Sequence, residues 1–379
     1  TMINYISSLF KDKQKIFLAN TNPAVENLRR KVTAEHAEFV TITKFLSKDV
    51  SNDCDILCLD ECSTISNRDM VRVLQRAQCK LLVLVGDIYQ IESILFGNWF
   101  NIAYKVMPKD SVAELTRPHR TTVQGLIEVW NKVREITEDR LEFITRNGLS
   151  STLDESIFSR TEEDEIVLCL NYDGIYGINN INKFLQSNNV NPSINWGVLS
   201  YKVGDPVLFN ESNRFAPLVY NNLKGKILQI EEEEDCIYFT IEVYTVLNEL
   251  DVIGFDLELK ESVTDETSVI RFKVGRGGDG NDDNDNVENV VPFQVAYAIS
   301  IHKAQGLEYE SVKVVITSEI EEMVSHNIFY TAITRAKSKL KIYWSPETEK
   351  RILENMKVQF NDKDYQLFKA KYKEALLKS

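Results

Sequence analysis

The chain has no run of about 18 consecutive apolar residues, the length a membrane-spanning helix needs. Its N-terminus, "TMINYISSLF", lacks the basic start and long apolar stretch of a secretory signal. Both absences point to a cytoplasmic protein with no membrane partner. Cysteine is sparse: the six are scattered, and Cys54, Cys58 and Cys62 straddle one apolar run without paired metal-ligand spacing, so ordinary packing in a reducing compartment accounts for them. Basic residues are outnumbered, 44 Lys and Arg against 57 Asp and Glu, for a net charge of −13. That balance argues against a surface coated for nucleic acid, but an average charge does not exclude a local groove. Much of the acidic excess sits in "EEEED" (231–235) and "NDDNDN" (281–286), which read as solvated loops. A glycine-rich phosphate loop is also missing, because the only Gly-Lys step, Gly225-Lys226, continues with Ile227 rather than Ser or Thr.

The chain has 379 residues, 43% of them hydrophobic and 27% charged, enough to bury two or three domain cores. Strand-like runs recur at "KIFLA" (15–19), "DILCLD" (55–60), "KLLVLVGD" (80–87), "EIVLCL" (165–170), "VKVVIT" (312–317) and "KLKIYW" (339–344). Most are apolar on both faces, the pattern of parallel strands covered by helices, and "AVENLRRKV" and "LIEVWNKVREI" supply helical periodicity between them. The fold class expected is therefore α/β, with one parallel-sheet domain over 1–122 and a second over 123–204 and 286–379. Between them, 205–285 changes to short alternating runs ("DPVLFN", "KGKILQI", "CIYFTIEVYTVL", "SVIRFKV"), predicting a small all-β insertion. Its end, "GRGGDGNDDNDN", contains one copy of a calcium-binding repeat pattern; a single copy cannot build a β-roll, so a loop is expected. Trp99, Trp130 and Trp344 are expected in cores rather than as platforms for bases.

The chemistry concentrates at strand ends. "DILCLDECSTIS" (55–66) runs from an apolar strand straight into Asp60 and Glu61. Two adjacent carboxylates near a packed interior are costly unless they meet a cation or polar reactant, and Mg²⁺ carrying a nucleotide is the obvious one. "LVGDIYQIES" (84–93) sets Gly86, Asp87 and Gln90 at the carboxyl end of another strand, where α/β sheets bind ligands. "LTRPHRTT" offers Arg117 and Arg120. "ISIHKAQGLEYESV" (299–312) clusters His302, Lys303, Gln305, Gly306 and Glu308 in a turn before a strand, and "FYTAITRAKSKLKIYW" puts Arg335 just ahead of the last one. "NTNPAVENL" (20–28) caps a helix after the first strand.

In this order, these stretches resemble the motif series of superfamily 1 helicases, in particular the RecD-like branch, over nearly the whole chain. "GIYGINNINKFLQ" and "VGDPVLFNESNRF…VYNNLKGKI" are similar to the segments leading into and through that branch's SH3-like β-barrel insertion. The resemblance implies two RecA-like domains and an ATP-dependent DNA helicase or translocase working on single-stranded DNA, with ATP and Mg²⁺ as cofactors, as a monomer. RNA helicases of the superfamily share the motifs, so RNA stays open as the substrate. By position, Asp60 would hold the metal, Glu61 would orient the attacking water and Gln90 would sense the γ-phosphate. Arg120, preceded by His119, and Arg335 would act as arginine fingers. Gly86, Asp87, Gly306 and Glu308 would meet nucleotide; Thr21, Asn22, Thr43, His302 and Lys303 would meet the phosphates and sugars of the strand. The family likeness of "TMINYISSLF" to the helix after the phosphate loop implies that Thr1 falls just past that loop, with further domains upstream, and that the chain given is inactive alone. The short stretch between "NPAVENL" and "DILCLDE" leaves room for no more than a small hairpin as an accessory insertion. The alternative is a nucleic-acid-binding scaffold that does not hydrolyse ATP, whose support is the absent loop; the intact acidic pair, Gln90 and both arginines speak against it.

Overall fold

Where aliphatic residues run unbroken, the chain forms parallel strands, and between them caps of Ser and Thr start the helices. The computed structural model describes residues 2–47, 52–91, 97–115, 120–210, 214–216, 218–262, 264–276, 289–357 and 362–376. The first elements are α1 (Met2–Leu9), β1 (Lys15–Ala19), α2 (Asn22–Lys31), β2 (Ala37–Thr41), α3 (Ile42–Leu46), β3 (Asp53–Leu59), α4 (Asn67–Arg76), β4 (Gln78–Leu84) and α5 (Trp99–Val106). Thr21 caps α2, its hydroxyl accepting the Ala24 N–H, with Pro in the first turn. Ser66 caps α4 by accepting the Asp69 N–H at 3.0 Å, and its hydroxyl donates to the Asp69 carboxylate at 2.8 Å.

The four strands pair in parallel in the order β2-β1-β3-β4. Every residue of β1 is buried, and β3 is buried from Ile56 to Leu59. β4 departs from the expectation of a strand covered on both faces. It is the edge of the described sheet, and Leu81 is 39% exposed. An apolar run records what gains from burial; it does not say whether a neighbour arrives to bury it.

Next come α6 (Gln124–Glu135), α7 (Arg140–Arg146), β5 (Ser150–Ser151), β6 (Glu165–Cys169), α8 (Ile178–Ser187) and the hairpin β7 (Ser193–Trp196) with β8 (Leu199–Lys202). The chain then makes β9 (Pro206–Phe209), β10 (Lys224–Glu232), β11 (Cys236–Val243), β12 (Glu258–Lys260), β13 (Ser268–Gly275) and β14 (Phe293–Val295). These form a six-stranded antiparallel sheet in the order β12-β13-β11-β10-β9-β14. This sheet covers the stretch expected to be all-β, with β14 lying past residue 285. Tyr201, Phe209, Phe239, Phe272 and Phe293 fill its core, with ring centroids mostly 5–6 Å apart. The "EEEED" block is not simply a solvated loop. Glu231 and Glu232 close β10 opposite Tyr238 and Ile237, and Glu231 pairs with Arg271 at 2.5 Å. "NDDNDN" lies outside the described residues.

The chain ends with β15 (Ala298–Ser300), β16 (Tyr309–Val315), α9 (His326–Ile333), β17 (Ala336–Tyr343), α10 (Pro346–Asn355) and α11 (Asp362–Leu376). A second parallel sheet runs β15-β6-β16-β17-β5. The fold is thus mixed α/β, with two RecA-like parallel sheets. Trp130 and Trp344 are buried as expected; Trp99 is partly buried and donates to the Ile65 carbonyl at 2.8 Å.

By packing, the chain forms two compact units. One comprises Thr1–Ile144, Glu322–Thr334 and Lys350–Ser379; the other comprises Thr145–Glu321 and Arg335–Glu349. The division at 122 read from sequence follows sheet membership, whereas packing also gathers α6 and α9 into the first unit. The physical reason is direct contact: Trp130 Nε1 donates to the Ile333 carbonyl at 3.1 Å, and His326 Nε2 lies 2.8 Å from the Val133 carbonyl.

Candidate nucleotide and nucleic-acid sites

In the first unit, the carboxyl ends of the parallel strands gather the sequence candidates. Leu59 at the end of β3 pairs with Leu84 at the end of β4, so Asp60 and Glu61 follow one strand while Gly86 and Asp87 follow its neighbour. Asp60 donates its backbone N–H to Leu18 of β1 at 2.8 Å. Burial pushes its carboxyl above the usual carboxylate range, opposed by a backbone hydrogen bond at Glu61 and by the charge of Lys31.

Glu61 adopts left-handed backbone angles, φ 50° and ψ 42°. A non-glycine residue held there costs about 1–3 kcal/mol, and such conformations cluster at functional sites. The turn is held by its neighbours: the Glu61 carbonyl accepts both the Thr64 N–H and the Thr64 hydroxyl at 2.9 Å, and the Cys62 N–H donates to Val85 at 2.9 Å. That last bond brings the two strand ends together over Gly86. A Cβ on Gly86 would meet Phe100 Cε1 at 2.8 Å and the Cys62 nitrogen at 3.0 Å, so the close approach requires glycine. Gly86 therefore has a packing role that its sequence position alone does not reveal.

The segment beyond β4 turns on Asp87, whose Oδ1 accepts the Tyr89 N–H at 3.0 Å and whose carbonyl accepts the Gln90 N–H at 3.3 Å. It docks on α9. Asn327 Nδ2 donates to the Gln90 carbonyl at 2.8 Å, and the Ile91 N–H donates to Thr331 Oγ1 at 3.1 Å. Arg120 Nη1 donates to the Thr334 carbonyl at the end of the same helix at 2.5 Å. Sequence reading passed over Asn327 and Thr331; Ser325, which caps the helix by accepting the Ile328 N–H at 3.3 Å, is a signal for the helix but not for what it binds. Arg117 and His119 lie outside the described residues.

Thr21, Asn22 and Thr43 are exposed. Ala19 at the end of β1 pairs with Thr41 at the end of β2, which brings the three residues to adjoining strand ends, on the carboxyl side that also carries Asp60.

In the second unit, residues 301–308 return from the carboxyl end of β15 to the amino end of β16. His302 is exposed, Lys303 Nζ donates to Gln294 Oε1 at 2.8 Å, and Gly306 turns with φ 80°. Glu308 thus precedes β16, and Arg335 precedes β17, with Tyr309 paired to Ala336. Arg335 is 1% exposed; its Nη1 donates to the Leu307 carbonyl at 3.2 Å and its carbonyl accepts the Tyr309 N–H at 3.0 Å. The structure therefore brings His302, Lys303, Gly306, Glu308 and Arg335 into one turn system, and Asp60, Glu61, Gly86, Asp87, Gln90 and Arg120 into the other unit.

Among the described residues, no three His, Cys, Asp or Glu side chains converge on a possible metal position. The donor chemistry at Asp60 still fits Mg²⁺, which keeps several waters and commonly takes one or two carboxylates together with nucleotide phosphates. No helix among the described residues is long and apolar enough to cross a membrane.

Residues 1–154 match the AAA domain family, and 295–343 match the UvrD-like helicase C-terminal domain family. The chain is 24% identical over 354 residues to an uncharacterised protein of Methanocaldococcus jannaschii, covering 78% of this chain and 29% of that one. It is 22% identical over 336 residues to the RecD subunit of the RecBCD enzyme of Mycolicibacterium smegmatis, covering 80% of this chain and 52% of that one. The chain thus spans about half of the RecD relative's length and less than a third of the other's. Among solved structures, the Pif1 helicase of Candida albicans superposes with a TM-score of 0.52 at 16% identity, covering 93% of this chain and 91% of that one, a likeness of fold. These matches bear out the likeness to RecD-like superfamily 1 helicases drawn from the motif series.

Proposed function

We propose that the chain is the core of an ATP-dependent helicase or translocase that moves along single-stranded DNA, the activity its RecD-like relatives suggest. The observation that carries this reading is the joined end of β3 and β4, where a partly buried carboxylate, a left-handed Glu61 and an obligatory glycine converge. Strain and a desolvated charge at the carboxyl end of a parallel sheet are features of a reaction site rather than of packing.

In this reading Asp60 holds Mg²⁺, Glu61 orients the attacking water and Gln90 senses the γ-phosphate, with Gly86 and Asp87 bordering the nucleotide. The metal, when bound, supplies positive charge to the phosphate oxygens. Arg120 and Arg335 stabilise charge developing in the transition state, and Gly306 and Glu308 relate nucleotide to the strand. Thr21, Asn22, Thr43, His302 and Lys303 contact phosphates and sugars, which gives affinity without sequence preference. The functional domains are those divided near 122, with 205–285 as the insertion: β1–β4 fall on one side, and β5, β6 and β15–β17 on the other. The motor works as a monomer in the cytoplasm.

The test is ATP hydrolysis by the complete protein with Mg²⁺, with and without an oligo-dT strand. Glu61→Gln keeps the shape but loses the carboxylate, so nucleotide binding is retained while turnover falls by about 10²–10⁴-fold. Normal turnover in this variant refutes the assignment. A wild-type protein that binds the strand but never hydrolyses ATP establishes the scaffold alternative. Oligo-rU in place of oligo-dT decides between RNA and DNA.

A further inference from the structure

The turn before β16 is gripped from two sides. One grip is Arg335, through Leu307 and Tyr309. The other comes from the antiparallel insertion. Lys224, the first residue of β10, places its Nζ 2.6 Å from Asp164 Oδ1 and donates to the Glu308 carbonyl at 3.1 Å. The ammonium sits 4.1 Å from the Tyr309 ring centroid and 5.0 Å from that of Tyr244. Asp164 completes the grip: its Oδ2 accepts the Glu310 N–H at 3.2 Å and its carbonyl accepts the Ser311 N–H at 3.1 Å. Successive residues 307 to 311 are therefore each tied, some to Arg335 and the others to Lys224 or its partner.

The backbone of Lys224 belongs to the insertion. It pairs with Leu208 of β9, and its carbonyl accepts the Tyr244 N–H at 3.0 Å. A second pair two residues on, Lys226 with Glu163, runs beside the first. A cavity of about 100 Å³ opens here between Arg160, Asp164, Lys226 and Tyr309. Its cations are already engaged, Lys226 by Glu163 and Arg160 over the Tyr297 ring at 5.2 Å, so the cavity does not have the makings of an anion site. What the geometry supplies is a link. Burial lowers the Lys224 pKa, and Asp164 opposes that shift, as expected for an ammonium kept charged by one close carboxylate.

We propose that Lys224 is a positioning residue through which the antiparallel insertion sets the backbone of the turn carrying His302, Lys303 and Glu308, so that single-stranded nucleic acid held at this turn accelerates ATP turnover. The inference rests on the motor reading above. Without Nζ the Glu308 carbonyl loses its tie to β10, and the turn can shift independently of the insertion. Equilibrium couplings between two binding sites are typically about 5- to 150-fold in affinity.

The experiment compares the complete wild-type protein with Lys224→Met, Lys224→Arg and Asp164→Asn. ATP hydrolysis is measured without and with saturating oligo-dT, and thermal melting is followed on each variant. The expected result is an unchanged rate without DNA, loss of the DNA stimulation by roughly 10-fold in Lys224→Met and Asp164→Asn, and recovery in Lys224→Arg. The loss should fall on the stimulated kcat, leaving KM for ATP unchanged. Full stimulation in Lys224→Met or in Asp164→Asn overturns the inference while leaving the motor reading intact. So does a matched fall of basal and stimulated rates, which makes the pair a merely structural tie. If Lys224→Met does not melt cooperatively, the isosteric Asp164→Asn decides. Absence of hydrolysis in the wild type instead sinks the motor reading, and the inference with it.

Discussion

Asp60 and Glu61 are adjacent but strained in different ways. Glu61 bears its cost in the backbone, through a left-handed turn fixed by Thr64. Asp60 bears it in solvation, because burial raises its carboxyl pKa. The sign of that shift has a consequence for stability. A carboxyl whose folded pKa lies above its unfolded value destabilises the fold once pH rises past both, and the penalty disappears below the unfolded value, about 3.9 for Asp. In nucleotide-free protein, Asp60→Asn should therefore raise the melting temperature at pH 7, by about 2–4 °C for each kcal/mol relieved. The gain should vanish on acidification toward pH 4. A melting temperature at pH 7 equal to or below wild type would show that Asp60 is not penalised by burial.

At the scale of elements, α9 stands out. It lies in sequence between β16 and β17, strands of one sheet, yet it packs with α6 in the unit containing the other sheet. It holds the segment beyond β4 through Asn327 and Thr331, and Thr334 at its end receives Arg120. The segment following the candidate γ-phosphate sensor is thus fixed by backbone bonds to a helix, which leaves the Gln90 side chain out of the docking described. Thr331→Val keeps the volume and removes the acceptor offered to Ile91. The expected cost is about 1–3 kcal/mol, that of removing one partner of a buried hydrogen bond, read as a lower urea midpoint with unchanged slope. An unchanged midpoint would mean that this contact does not hold the segment.

At the scale of the molecule, the chain comprises two parallel sheets and an antiparallel insertion with its own aromatic core. Most of that core lies within 205–285, while Tyr201 and Phe293 pack into it from the flanking segments. Replacing 205–285 by a short Gly/Ser linker should accordingly preserve hydrolysis without nucleic acid while abolishing unwinding of a tailed duplex. It should also abolish stimulation by oligo-dT, because Lys224 goes with the insertion. Loss of the basal rate as well would identify the insertion as part of the host core. Retained unwinding would make it dispensable.

Much of this architecture is legible in the sequence, because local chemistry dictates it. "KIFLA" and "EIVLCL" are too apolar to stay in water, and they became central, fully buried strands. A strand running into Asp60 and Glu61 had to deliver two charges to its end, and the cap at Thr21 had to start a helix. Other features were decided only when distant segments closed on one another. "KLLVLV" has the composition of a covered strand, yet β4 forms an edge, since coverage depends on which element arrives beside it. The bond from Ile91 to Thr331 spans 240 residues of chain, and those from Lys224 to Asp164 and Glu308 span 60 and 84. No periodicity encodes such pairs. Sequence pattern specifies which faces seek burial and where charge must emerge; tertiary packing selects the partners, because only the closed fold sets distances across so many residues.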